Sequence, residues 1–153
     1  MAKCDIYTAD LDGMWDISFD EICQEALGNA VPILEGTMKS AAAASIIHDG
    51  DSAMVNSIKG STPKKSASTD CWIVNVGPRG SSEHRYYAKD GKGRKTNRSY
   101  KVSNALKAIW KEYGIPGHQP AMPFMDKAAN QARSRVEKII EDAFEKRIKD
   151  YEL

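Results

Sequence analysis

Long hydrophobic runs are missing from this 153-residue chain. No apolar stretch approaches the ~20 residues that a membrane-spanning helix needs. Paired cysteines are missing as well. Cys4, Cys23 and Cys71 lie far apart with no C-x-x-C, which excludes a zinc ribbon or a thioredoxin-type site. An odd count in a chain that opens "MAKCDIYTADLDG", with no basic region leading into an apolar stretch, points to reduced thiols and no secretory signal. The expected compartment is the cytoplasm, or a particle assembled there. Cys23 falls on a helical apolar pattern and Cys71 opens a strand pattern, so both are expected as small core residues.

Histidine is scarce. His48, His84 and His118 stand singly, without the i, i+4 or H-E-x-x-H spacing of a metal site. G-x-S-x-G, P-loop and dinucleotide fingerprints are all absent from the sequence. "GPRGSSE" at 77–83 lacks the lysine and following helix of a phosphate loop and reads as a strand-ending turn. Asp10 and Asp12 read as a solvated acidic patch rather than an acid/base pair. None of these patterns marks a cofactor or metal site, so none is expected.

What is present is charge, unevenly placed. Lysine and arginine total 22 against 21 aspartates and glutamates. Residues 1–57 carry 2 basic and 10 acidic side chains, whereas residues 58–111 carry 13 basic and 3 acidic. An acidic first third beside a basic middle suits either nucleic acid or the acidic face of another subunit.

A single α+β domain is expected, with an irregular arm over 1–18. "SFDE" places Ser18 and Glu21 as a capping box, with Ile17 and Ile22 as its hydrophobic staple. Apolar residues then recur at three- and four-residue spacing and predict a helix over 19–45, bent or split at Pro32. After "HDGD", "SAMVNSI" reads as one helical turn and "IKGSTPKKSAS" as a short strand entering a loop. "CWIVNVG" (71–77) alternates and predicts one strand, with Trp72, Val74 and Val76 sharing a face. Residues 84–102, within a basic segment over 80–102, read as a hairpin turning at Asp90–Gly91. "SNALKAIWKEYG" reads as a short helix near 103–108 followed by a strand through Trp110, Glu112 and Tyr113. From Pro123 an amphipathic pattern predicts a helix over 123–150. The architecture expected is two long helices on one face of a small antiparallel sheet, with a protruding basic hairpin.

Two stretches invite functional readings. In the hairpin, Arg79, Arg85, Lys89, Lys92, Arg94, Lys95, Arg98 and Lys101 interleave with Tyr86, Tyr87 and Tyr100. Cations for phosphates and rings for bases are the ingredients of single-strand binding, though such charges also keep an exposed hairpin from aggregating. In "EYGIPGHQPAMPF", Glu112 and His118 could serve a small hydrolase. Prolines and glycines at this density read better as a rigid joint that sets the last helix.

"IWKEYG", then "PAMPFMDKA" and a long charged helix, resemble the head–tail joining, or neck (tail-completion), family of long-tailed bacteriophages. The matching residues are Glu112, Tyr113, Gly114, Pro123, Phe124 and Ala128, with Ser57–Ile58 before the first strand and Val76–Gly77–Pro78 at a strand end. Order and spacing extend over about 19–150. The family's turn after the first helix is matched only by Gly50 and Asp51, and Met122 stands where arginine often precedes Pro-Phe. The resemblance implies a structural virion protein that is not an enzyme. It would form a homo-oligomeric ring, of six or twelve copies, at the neck between head and tail. Its partners would be head-closure or connector proteins and tail terminator or tail-tube proteins. Membrane contact is not implied, and any contact with DNA in the lumen would be non-specific. On that reading Arg85, Lys89, Lys92, Arg94, Lys95 and Arg98 are candidate subunit or DNA contacts. The alternative is a nucleic-acid-binding accessory protein using residues 84–101.

Overall fold

The computed structural model describes residues 19–45, 51–69, 71–89 and 91–151. Ile17, Ser18, the Asp10–Asp12 pair, Cys4, His48, Gly50 and the turn residue Asp90 lie outside them. The first element, α1, spans Phe19–Ala43, with Asp20 and Glu21 in the first turn where the helix dipole favours negative charge. It runs through Pro32 as one helix of 25 residues rather than as two abutting helices. An interior proline costs about 3 kcal/mol. That cost is offset because buried residues flank it on both sides, Ile22, Ala26 and Ala30 before it and Ala41 and Ala42 after it.

A short helix, α2, spans Asp51–Asn56 and leads into β1, Ile58–Gly60. Then come β2 (Lys64–Lys65), β3 (Trp72–Ile73), β4 (Val76–Pro78), β5 (Ser81–Lys89) and β6 (Lys95–Ser103). Two helices close the chain, α3 (Asn104–Tyr113) and α4 (Phe124–Tyr151). The described residues thus mix helix with small antiparallel ladders, an α+β arrangement.

The strands do not join into one sheet. They form three two-stranded antiparallel ladders, β1 with β4, β2 with β3, and β5 with β6. The single strand expected over 71–77 is two strands, because β3 pairs with Lys64–Lys65 and β4 with Ile58–Gly60, with a break at Val74–Asn75. Its alternation survives the break. Trp72, Val74 and Val76 are half-buried while Cys71, Ile73 and Asn75 are exposed. Cys71 is therefore not a core residue, and Cys23 is only half-buried. The expected turn at 77–83 shrinks to Arg79–Gly80, since Gly77 and Pro78 belong to β4 and Ser81 opens β5.

A second correction concerns 104–113. The segment is one helix throughout, and the strand expected through Trp110, Glu112 and Tyr113 does not form. The polar face of this helix is the buried one, so a search for buried apolar residues misjudges its period.

α1 and α4 run antiparallel in the most extensive contact of the fold. Phe19 at the start of α1 meets Phe144 late in α4 with ring centroids 6.3 Å apart, and Arg147 reaches Glu21 at 3.1 Å. At the other end, Ala41 and Ala42 join Met54, Val55, Ile58, Ala108, Phe124 and Ala128 in one core. α1 also touches β1, β3 and β4, while α4 leans on α1 and more lightly on α3. The sequence stripe on α4 is buried at Phe124, Ala128 and Ala132, half-covered from Val136 to Phe144, and exposed at Ile148.

Candidate interaction surface on α3 and the hairpin

The residues that carry the family resemblance lie far apart in sequence and close in space. Ile58 pairs with Pro78 and Gly60 with Val76 across the β1–β4 ladder. The Ser57 hydroxyl donates to the Met54 carbonyl at 2.7 Å, and the Arg79 amide donates to the Ser57 carbonyl at 3.1 Å. Ile58, Phe124 and Ala128 share the core, and Val76 packs against it. Gly77 is half-buried beside Lys59 in the ladder, and Pro123 is exposed immediately before α4.

Glu112 is buried and spent on architecture. One carboxylate oxygen accepts from the Met125 amide at 2.8 Å and the other from the Asp126 amide at 3.3 Å. These are second and third residues of α4, whose amides have no intrahelical acceptor. A carboxylate carried by α3 therefore caps α4 and meets the positive end of its dipole. Between the helices the chain turns back on itself through paired amide–carbonyl bonds of Ile115 and Gln119. His118 sits exposed on this turn. The Glu112–His118 hydrolase pairing is not assembled, because both carboxylate oxygens of Glu112 face the amides of α4.

The hairpin has the register His84↔Tyr100 and Tyr86↔Arg98. Residues facing each other across a ladder share a face, so His84, Tyr86, Arg98 and Tyr100 lie on one side, and Glu83, Arg85, Ser99 and Lys101 on the other. The cations and aromatics are thus partly segregated rather than fully interleaved. His84 meets both Tyr100 and Trp110 edge-on with centroids 5.5 Å apart, and Tyr86 meets Tyr100 at 5.5 Å. This line of rings joins the hairpin to α3. Arg85, Lys92, Arg94, Lys95 and Arg98 are exposed residues. Lys89 ends β5, and Arg85 lies 3.9 Å from Glu83.

α3 is inverted. Its buried residues are Asn104, Lys107, Ala108, Lys111 and Glu112. Three of its large apolar residues face outward, with Leu106 41%, Ile109 48% and Tyr113 77% exposed. On a 100° helical step these two sets occupy opposite sides. The buried polar side is satisfied in detail. Lys111 Nζ lies 2.6 Å from Asp51 Oδ2 and donates to the Ser45 carbonyl at 2.8 Å. Lys107 Nζ donates to Ser82 Oγ at 2.7 Å and to the Glu83 carbonyl at 2.6 Å. Asn104 donates to the Arg79 carbonyl at 2.8 Å and accepts from Ser82 Oγ at 2.5 Å. These bonds tie α3 to α2 and to the foot of the hairpin.

Burial pushes the Lys107 ammonium below the usual lysine range, and the charge of Asp51 partly restores it. Both of its bonds go to neutral oxygens, while Asp51 is held by Lys111. Lys107 also lines an open cleft of about 820 Å³ between α3 and the hairpin, together with His84, Arg85, Asn97, Trp110 and His118. Among the described residues no group of three or more His, Cys, Asp or Glu side chains could hold a metal ion. No described helix is long and apolar enough to cross a membrane.

Sequence reasoning singled out the hairpin cations and Glu112. It missed Lys107, Lys111, the pairing of Asp51 with Lys111, and the Leu106–Ile109–Tyr113 stripe. The signal was available, since residues 106, 109, 110 and 113 repeat at three- and four-residue spacing while 107 and 111 are lysines one turn apart. Reading the segment as half strand hid that period. Comparison of the chain with protein-family models, curated proteins and solved structures finds no match.

Proposed function

We propose that this chain is a structural subunit of the neck of a long-tailed bacteriophage, one of a ring that joins the DNA-filled head to the tail. The observation that carries the reading is the inverted helix α3. A helix that turns lysines inward and leucine, isoleucine and tyrosine outward exposes apolar surface that water penalises by about 25 cal/mol per Å². Such a face suits a subunit that is covered by a neighbour in an assembly. The two long helices form the body of the subunit, and the β5–β6 ladder is the protruding basic hairpin. The partners are further copies of the chain, the head-closure ring on one side and the tail terminator or tube on the other. Positive charge without a groove-reading helix also suits a lumen through which DNA passes without base-specific contact.

The experiment is a peptide count by quantitative mass spectrometry on purified phage particles. A fixed number near six or twelve per particle is expected. Absence from particles that contain portal and tail-tube proteins would overturn the reading.

A second reading draws on one observation, the sharing of a hairpin face by Tyr86, Tyr100 and Arg98. Rings and a cation on one face form a stacking platform for single-stranded nucleic acid. It requires oligonucleotide binding that falls steeply with salt and is lost in the Lys92→Glu/Arg94→Glu/Lys95→Glu variant.

A further inference from the structure

We infer that residues 1–18 of a second copy of this chain lie along the outward face of α3 and the aromatic face of the hairpin. The inference deepens the ring-subunit reading and rests on it.

The surface that needs covering is continuous. Leu106, Ile109 and Tyr113 are exposed on α3. Trp110 on the same helix touches His84, His84 touches Tyr100, and Tyr100 touches the exposed Tyr86. Cations border this surface. Arg98 shares the hairpin's aromatic face, and Arg85 and Lys107 line the adjoining cleft. The occupant should therefore be both apolar and acidic.

Residues 1–18 have that composition. Ile6, Tyr7, Leu11, Met14, Trp15 and Ile17 alternate with Asp5, Asp10, Asp12 and Asp16, against Lys3 as the single basic residue. This is the complement of a surface within a segment that holds 13 basic and 3 acidic residues.

The arm of the same copy is badly placed to serve. It joins the fold at Phe19, which packs on Phe144, whereas α3 meets the opposite end of α1 through Ala108 in the core shared with Ala41 and Ala42. A helix of 25 residues is about 37 Å long at 1.5 Å per residue. Retracing it takes about eleven extended residues. Met14, Trp15 and Ile17 would then lie along the route and not on α3. A neighbour in a ring delivers its whole arm without that detour.

The test uses the full chain, mixed as ordinary and nitrogen-15-labelled protein and joined by a carbodiimide, which links carboxylates to amines at zero length. In an Arg98→Lys variant, which keeps the charge and sets an amine on the aromatic face, mixed-isotope links from Asp5, Asp10, Asp12 or Asp16 to that amine are expected. Sedimentation should show concentration-dependent association, weakened about tenfold between low and high salt. The Leu106→Lys/Ile109→Lys variant should lose both signals while keeping the wild-type far-ultraviolet spectrum. Reversal of the four arm aspartates to lysine should do the same from the other side. A wild-type chain that stays monomeric overturns the inference. So do links confined to one isotope, or association that both variants preserve. None of these outcomes bears on the particle count, which tests the neck reading separately.

Discussion

Replacing Glu112 tests whether α3 and α4 are one unit. The carboxylate accepts a good bond from the Met125 amide at 2.8 Å and a longer one from the Asp126 amide at 3.3 Å. A hydrogen bond to a charged group contributes about 1.5–3 kcal/mol. Loss of an ordinary N-cap costs about 1 kcal/mol. Asp126 is exposed, so water replaces its lost acceptor, whereas the half-buried Met125 amide is served less well. Glu112→Ala should therefore cost about 2–3 kcal/mol. Glu112→Gln keeps one oxygen in place and forfeits the charge at the helix end, for about 1 kcal/mol. With a urea slope near 2 kcal/mol per molar, the midpoints fall by about 1–1.5 M and about 0.5 M. Urea unfolding followed by circular dichroism at unchanged slope measures both. An alanine variant within about 0.5 kcal/mol of wild type, or equal losses for both variants, would refute the capping argument.

Two further predictions follow from the same structure. Gly114 has φ 76° and ψ 177°, and a Cβ there would stand 2.8 Å from both the Ala121 nitrogen and the Gln119 oxygen. Gly114→Ala should cost about 1–3 kcal/mol for strain in this glycine-only region, read as a lowered thermal midpoint; an unchanged midpoint would show that the 114–121 joint is slack. Asp20 accepts from Trp72 Nε1 at 2.9 Å and from Lys65 Nζ at 3.0 and 3.1 Å, and these two partners, Trp72 first, hold its carboxyl below the ordinary 3.8. Its folded value is depressed, so its contribution is present above the unfolded value and lost as pH falls through the folded one. Trp72 fluorescence should shift as the pH drops below about 3.8, and Asp20→Asn should already show the shifted signal at neutral pH; identical acid titrations in the two proteins would refute the tie.

The sequence carried the larger elements because their signals are local. Periodic apolar residues announced α1 and α4, and two alternating runs around Asp90–Gly91 announced the hairpin. What it withheld depends on partners distant in the chain. Nothing near residues 71–77 says that Trp72–Ile73 and Val76–Pro78 pair with different strands. Exposure of Cys71 follows from the same split. The cap on α4 was hidden for a related reason. "AMPF" supplies no side-chain oxygen just before Phe124. A long helix without a local cap calls for an acceptor from elsewhere, and Glu112 is that acceptor.

α3 was misread because its pattern was judged by the rule that apolar residues face inward. That rule holds for a chain whose surface meets only water. Within α3, burying Lys107 and Lys111 exacts desolvation, which Asp51, Ser45, Ser82 and Glu83 relieve with named bonds. The opposite arrangement, lysines outward and Leu106, Ile109 and Tyr113 inward, would bury more apolar area and desolvate no charge. A monomer gains nothing by forgoing it. A subunit does, because the apolar stripe released to the surface becomes binding energy when a neighbour arrives, while the buried ammonium groups fix the helix so that the stripe is already in place. On the proposed assembly the inversion is a cost at folding that returns when a neighbour binds, and it links the two arguments: Glu112 locks α3 to α4 from within, so that Leu106, Ile109 and Tyr113 are held in place without.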